Sequence, residues 1–265
     1  MQLRYVKTLE ETAALQQLYA EPAFERSCGV SAVYETDPEI IAAVLPPPLQ
    51  PTDEPLVTVS VSHIGASNTL QPFGAAGLAV AAQYEGIVGS YPLTMPMSTD
   101  SAVIFGRELY GEPKKVAEIN VVREGDHAAG TVQRYGITYL EIRGTVVESV
   151  EPPGPGESSR FYFKFMPAPD GDGFDNDPVL VRVRHTGGSR LVERLDGEVI
   201  LRESPHDPVV DVPVRKLLGV SYTEGDTYTH GEILARVPGE SFLPYMFGKM
   251  DDLALLAKAA QTARA

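Results

Sequence analysis

Tryptophan is absent from the 265 residues, cysteine occurs once, at Cys28, and 22 basic residues face 36 acidic ones. One cysteine excludes an internal disulfide and a cysteine-ligated metal cluster, and suits a reducing cytoplasm. Such a residue reads as a small buried hydrophobe. The shortage of positive charge leaves a formal net charge of -14, which repels nucleic acid and anionic membrane surfaces. No apolar run approaches the roughly 18 residues of a membrane span, and the opening MQLRYVKTLEET lacks the layout of a signal peptide. A soluble cytoplasmic protein without nucleic-acid or membrane partners is expected.

Other absences narrow the chemistry. His63, His127, His185, His206 and His230 are scattered without a short-spaced pair, so no metal site is expected. The acidic-glycine segment from Asp170 to Asp177 lacks a calcium loop's twelfth-position glutamate, since Val181 stands there, and reads as a turn. Glycine-rich phosphate cradles and GxSxG are missing, which leaves nucleotide binding and serine hydrolysis without support.

What is abundant is glycine, 24 residues, and proline, 22, which punctuate short strand-like runs. Val57, Val59 and Val61 alternate with Thr58, Ser60 and Ser62, as in a half-buried strand. Further strands are expected over 77–83, 87–95, 118–123, 131–147, 160–166, 179–185, 191–201 and 232–237. Thr8 to Tyr19 has helical spacing with Thr8 as cap, and a helix from Pro38 to Val44 stops at Pro46, Pro47 and Pro48. The segment from Phe242 to Ala263 is helix-rich, packed across the sheet or onto a neighbouring subunit of a homo-oligomer. Short strands with turn punctuation predict an antiparallel barrel or sandwich rather than alternating β and α units, in one domain over residues 1–265.

Lys114 and Lys115 are adjacent in an apolar neighbourhood that includes Val103, Ile104, Phe105, Leu109 and Val116, with Met95 and Met97 upstream. Two neighbouring ammonium groups repel and an apolar surround disfavours charge, so both effects push one lysine toward a neutral, nucleophilic amine. An exposed pair is the ordinary state of such lysines. Residue types alone leave both readings open.

The segment SAVIFGRELYGEPKK, Ser101 to Lys115, resembles the signature of the acetoacetate decarboxylase family, GRE followed shortly by PKK. Gly106, Arg107, Glu108, Pro113, Lys114 and Lys115 carry the match. VYETDPEIIAAVLPPPL followed by DEPLV is similar to the family's extended strand, short helix and proline-rich turn, and YEGIVGSY adds to it. Downstream the likeness thins to GTV at Gly130 and FKFMPAPDG around Lys164. The resemblance implies a mainly antiparallel β-barrel or cone with peripheral helices, and cofactor-free chemistry in which Lys114 forms an imine and Lys115 tunes it. Activation of a lysine by a neighbouring cation is that family's known device.

Departures from the family pattern bear on the reaction. Its decarboxylases carry an arginine and two glutamates where the alignment places Ser27, Ser60 and Ala75. Arg26, one place from the first, is the candidate replacement anchor, although a one-residue shift in a strand sends a side chain to the other face. Glu112 stands two residues before Lys114, where the decarboxylases have an apolar or aromatic residue. A carboxylate there serves as acid and base in enamine chemistry and repels the carboxylate of a 3-oxo acid. Expected, therefore, is a Schiff-base lyase that performs aldol condensation or dehydration on a small oxo acid or ketone. The alternatives are 3-oxo acid decarboxylation and a noncatalytic ligand-binding barrel. Glu108, Gln133 and Tyr245, with Met95 and Phe105 as apolar wall, complete the expected substrate-binding set; for Glu108 a turn-capping role and for Tyr245 a packing role are the structural alternatives.

Overall fold

The computed structural model describes residues 3–249. Its first helix, α1 (Leu9–Ala20), starts where the sequence places the cap. The Thr8 hydroxyl accepts from the Glu11 amide at 3.2 Å and the Glu11 carboxylate accepts from the Thr8 amide at 2.8 Å, a reciprocal cap that satisfies two orphan donors. The helix buries none of its residues. Helix α2 (Pro38–Val44) occupies the predicted range, with proline in its first turn and a run of prolines after it.

Eleven strands form one sheet: β1 (Ala23–Glu35), β2 (Leu56–Ser67), β3 (Phe73–Tyr84), β4 (Ile87–Met97), β5 (Lys114–Val116), β6 (Glu118–Glu124), β7 (His127–Arg134), β8 (Ile137–Val150), β9 (Gly156–Lys164), β10 (Val179–Leu201) and β11 (Lys216–Arg236). The order β11-β1-β2-β3-β4-β9-β10 closes on itself because β10 also pairs with β11. All pairings of this cone-like ring are antiparallel except β4 with β9, which meet in one parallel bridge, Ser90 to Arg160. Strand β10 pairs with β9 over its first part and with β8 over its second, and so hands the ring's edge to the ribbon β8-β7-β6. That ribbon packs against β1 and β2.

The alternation in β2 decides where the core lies. Val57, Val59 and Val61 are fully enclosed, together with Val30, Leu78, Val132 and Leu140. Removal of such side chains from water stabilises by about 1.5–3 kcal/mol each. The intervening Ser60 and Ser62 face the other side of the sheet, which is a cavity.

Several expected elements differ. The run 131–147 is two strands, because Tyr135 and Gly136 both take positive φ, 49° and 80°, in a two-residue hairpin turn between Arg134 and Ile137. The runs 179–185 and 191–201 are one strand whose register shifts between Ser189 and Leu191. Helix α3 (Asp100–Tyr110) was not expected at all. Of the segment from Phe242 to Ala263, residues 242–249 are short helical turns, and the rest lies outside the described residues. Among the described residues no helix is long and apolar enough to cross a membrane.

Candidate active site

Helix α3 builds the site. Thr99 caps its start, and Gly111 ends it in the left-handed region at φ 81°. The Gly111 amide donates to Arg107 O and the Glu112 amide to Gly106 O, both at 3.2 Å. A Cβ on Gly111 would lie 2.5 Å from Lys164 Cα, so the reversal needs glycine for both conformation and space. The chain then enters β5, which pairs in parallel with β4, Met95 opposite Lys114 and Pro96 opposite Lys115.

The reversal brings Glu112 against Lys114: Oε2 and Nζ are 2.7 Å apart, with the two side chains 7% and 6% exposed. The contact is an ion pair without the alignment of a hydrogen bond. Both side chains lie across α3 at Gly106. A Cβ there would overlap the Glu112 carboxylate and sit 2.6 Å from both Cδ and Nζ of Lys114. The glycine of GRE is thus the space that the pair occupies. Arg107 donates to the Lys114 carbonyl at 3.2 Å and the Lys249 carbonyl at 2.9 Å, which ties helix to strand, while Glu108 is exposed.

Lys115 points the opposite way, as successive residues of a strand do. Its Nζ is 3.6 Å from the Asp207 carboxylate and donates to His206 O at 3.4 Å, and Arg134 binds the other Asp207 oxygen at 2.6 Å. Each lysine therefore has its own carboxylate. The expected like-charge activation of Lys114 by Lys115 gives way to a geometry in which the charge nearest to Lys114 is negative.

Lys114 and Glu112 open onto a cavity of about 780 Å³. Phe73, Met95, Met97, Phe105 and Tyr110 form an apolar side. Ser27, Ser60, Ser62 and Thr229 present hydroxyls, and Arg160 and His185 complete the lining. Arg26 is exposed and absent from this lining, because φ 52° in a bulged stretch of β1 turns it aside. Its amide donates to Asp226 and its guanidinium to Gly65 O. Gln133 is half-buried on β7 and lines neither cavity. Tyr245 lines a second cavity of about 460 Å³ with Lys115, Asp207 and Lys249, so it belongs to the Lys115 side. Among the described residues no three histidine, cysteine, aspartate or glutamate side chains converge as metal ligands.

A family model for acetoacetate decarboxylase (ADC) matches residues 10–237. The chain belongs to the acetoacetate decarboxylase family. A CLA biosynthesis isomerase of Lactiplantibacillus plantarum is 27% identical over 225 residues, covering 78% of this chain and 80% of the relative. An acetoacetate decarboxylase of Bordetella avium is 28% identical over 209 residues, covering 76% of this chain and 83% of the relative. Among solved structures, the enduracididine biosynthesis enzyme MppR, complexed with the condensation product of pyruvate and imidazole 4-carboxaldehyde, has a TM-score of 0.66 at 15% identity, over 81% of this chain and 88% of that one. This last likeness is one of fold.

Within the acetoacetate decarboxylase family frame, the positions where the resemblance anticipated arginine and two glutamates, Ser27, Ser60 and Ala75, all line the cavity that holds Lys114. Three groups near the lysine were not assigned to the site from the sequence: Arg160, Tyr162 and His185, the last considered there only as a metal ligand. Burial, then Arg160 and Lys114, holds the His185 imidazole well below the usual histidine range, and its Nε2 is buried without a hydrogen-bond partner among the described residues. Burial and the Glu112 charge push the Tyr162 phenol up; the phenol lies beside Glu112 and Arg160 without an aligned hydrogen bond. The signal for His185 was alternation, since it continues the row Val181 and Val183 while Arg182 and Arg184 pair with Glu157 and Glu232 on the other face.

Behind the sheet, Lys249 is 9% exposed, with Nζ 4.6 Å over the Phe165 ring. Burial, then the Arg107 charge, lowers its amine from 10.5 to about 8. The resulting penalty on the folded state is on the order of 3 kcal/mol. It applies in full below pH about 8 and vanishes by about 10.5, where the amine is neutral in both states. Lys249→Met is therefore expected to raise stability at pH 7, with an advantage that shrinks as pH rises through this window. Urea midpoints across the window test this; a gap that does not change with pH contradicts it.

Proposed function

We propose that this chain is an enzyme that forms an imine through Lys114 and moves protons through Glu112, as a lyase acting on an oxo acid or ketone. The observation that carries the reading is the buried Lys114–Glu112 pair, 2.7 Å apart, on the wall of a mostly apolar cavity. An ion pair in low dielectric is held by little more than its own attraction. Transfer of one proton from Nζ to Oε2 leaves a neutral amine and a neutral acid in a site that disfavours charge. The amine adds to the substrate carbonyl. Protonation of the carbinolamine oxygen by Glu112 and loss of water give the protonated imine, the cationic electron sink, and return Glu112 to its carboxylate.

The Glu112 carboxylate then removes a proton from the carbon next to the imine. The bonding pair flows to nitrogen and leaves an enamine. That carbon adds to an aldehyde, water departs across the new bond, and hydrolysis of the imine releases product and lysine. Isomerisation by return of the proton to another carbon uses the same two groups. Retention of carbon is favoured over loss of carbon dioxide because Glu112 places negative charge beside the imine, where the carboxylate of a 3-oxo acid would have to lie. The isomerase relative and the condensation product bound to MppR accord with this preference; the Bordetella avium decarboxylase marks the competing reaction.

Borohydride with pyruvate or acetoacetate is expected to add one substrate-derived mass to the peptide that holds Lys114. Glu112→Gln should keep that adduct yet slow product formation from pyruvate plus an aldehyde by roughly 100-fold or more, the contribution of a positioned acid-base group. Adducts only on other lysines, or rapid release of carbon dioxide from acetoacetate without condensation product, would overturn the reading.

A further inference from the structure

Two cations line the Lys114 cavity, Lys114 and Arg160, with three carboxylates, Glu112, Glu157 and Asp226. The carboxylates are all committed elsewhere. Glu112 pairs with Lys114 at 2.7 Å, Glu157 with Arg182 at 3.0 Å and Arg184 at 3.5 Å, and Asp226 with Arg190 at 2.5 Å. Arg160 has no carboxylate partner among the described residues. In a chain of net charge -14, a half-buried guanidinium without a counter-charge is out of keeping with its surroundings, because burial of an unpaired charge is costly.

The setting of Arg160 explains how it is held. It forms the single bridge with Ser90 that joins β9 to β4. Strand alternation places it on the same side as Tyr162, which belongs to the apolar cluster around Met95, Phe105 and Tyr110. Its charge acts on both His185 and Tyr162. His185 is neutral there and leaves Nε2 buried and unpaired. A guanidinium that lacks a carboxylate and an imidazole whose Nε2 lacks a partner among the described residues line the same cavity as the reactive amine, and both Arg160 and Lys114 act on that imidazole. A planar fork of donors is suited to one ligand chemistry above others, a carboxylate.

We infer that Arg160, assisted by His185, is the anion anchor of the cavity, and that the substrate is an oxo acid with its carbonyl at Lys114 and its carboxylate at Arg160 on β9. The inference rests on the imine reading of Lys114 for the carbonyl end only. A cavity of about 780 Å³ falls in the range that encloses drug-sized ligands, so it has room for oxo acids longer than three carbons as well. Arg160 thus occupies functionally the place that the sequence offered to Arg26, on a different strand.

The test uses borohydride trapping on the intact protein with 4-oxopentanoate, 5-oxohexanoate and uncharged 2-hexanone. In Arg160→Gln the concentration of oxo acid needed for half-maximal labelling of Lys114 should rise roughly 10- to 100-fold, the worth of a charge-assisted hydrogen-bonded pair. Arg160→Lys should recover part of the loss, and labelling by 2-hexanone should not change. An equal loss for acid and ketone, or none for either acid, overturns the anchor. Should no carbonyl compound label Lys114, the imine reading fails by itself. The anchor is then read from calorimetry of pentanoate with Lys114→Ala: binding that Arg160→Gln removes supports it, and absence of binding at tens of millimolar, about the weakest useful affinity, refutes it.

Discussion

Lys114→Ala is expected to abolish borohydride labelling and to lower turnover of any compound that labels the native protein about ten-thousand-fold or more, since loss of a covalent nucleophile removes the reaction path rather than one contact along it. The substitution also leaves Glu112 buried without its cation, and a broken buried pair costs about 3–5 kcal/mol while the survivor remains charged. A carboxylate can escape that cost by taking a proton, so the destabilisation of Lys114→Ala should be largest at alkaline pH and ease toward acid. Lys114→Ala combined with Glu112→Gln should remove this pH dependence and recover stability without recovering activity. Thermal melts across pH, alongside the labelling assay, separate the two effects. Persistence of turnover in folded Lys114→Ala would reject an imine at this position.

Gly106→Ala is the second substitution with a large expected effect, and it adds only a methyl group. The methyl would occupy the position of the Glu112 carboxylate and press on Cδ and Nζ of Lys114, so one or both must swing out of the shared site. A displacement of about 1 Å at a reacting centre is enough to cost roughly 100-fold, and here both the nucleophile and its proton acceptor move. Alanine is otherwise the better helix former by about 1 kcal/mol, so the helix itself should survive. The expected outcome is a folded protein with activity reduced at least about 100-fold and weak labelling of Lys114. Unimpaired labelling would mean that Lys114 works from a position other than the one observed across α3.

The ring strands and the identity of the lysine segment were legible in the sequence because both rest on short-range patterns: valines at alternate positions in β2, the cap at Thr8, the prolines after α2, and the GRE and PKK residues. Strand ends and hairpins were less legible. Tyr135 carries a positive φ that residue type alone does not advertise, and β10 continues through Gly187 and Gly188, which read as a break. Helix α3, capped at Thr99 and closed at Gly111, was hidden because Val103, Ile104, Phe105 and Gly106 at its centre are weak helix formers. Arg160 and His185 were hidden for a different reason. Their role depends on which side of the ring encloses a cavity, and polar residues on that side, Ser60 and Ser62 among them, read as solvent-facing. Arg26 was misplaced because a bulge turns it outward, a local event without a sequence marker.

Lys114 and Lys115 differ by a single peptide unit, yet one serves the chamber with Glu112 and the other the chamber with Asp207 and Tyr245. The doublet is therefore not a reserve of two interchangeable amines. No rotation about a side-chain bond carries Lys115 across the strand to replace a lost Lys114. Insertion or deletion of one residue between Gly111 and Lys114 would exchange the two amines between chambers while leaving the composition of the motif almost untouched. The spacing from the left-handed glycine to the first lysine sets the handedness of the site, as a key's notch sets which face of a lock it meets.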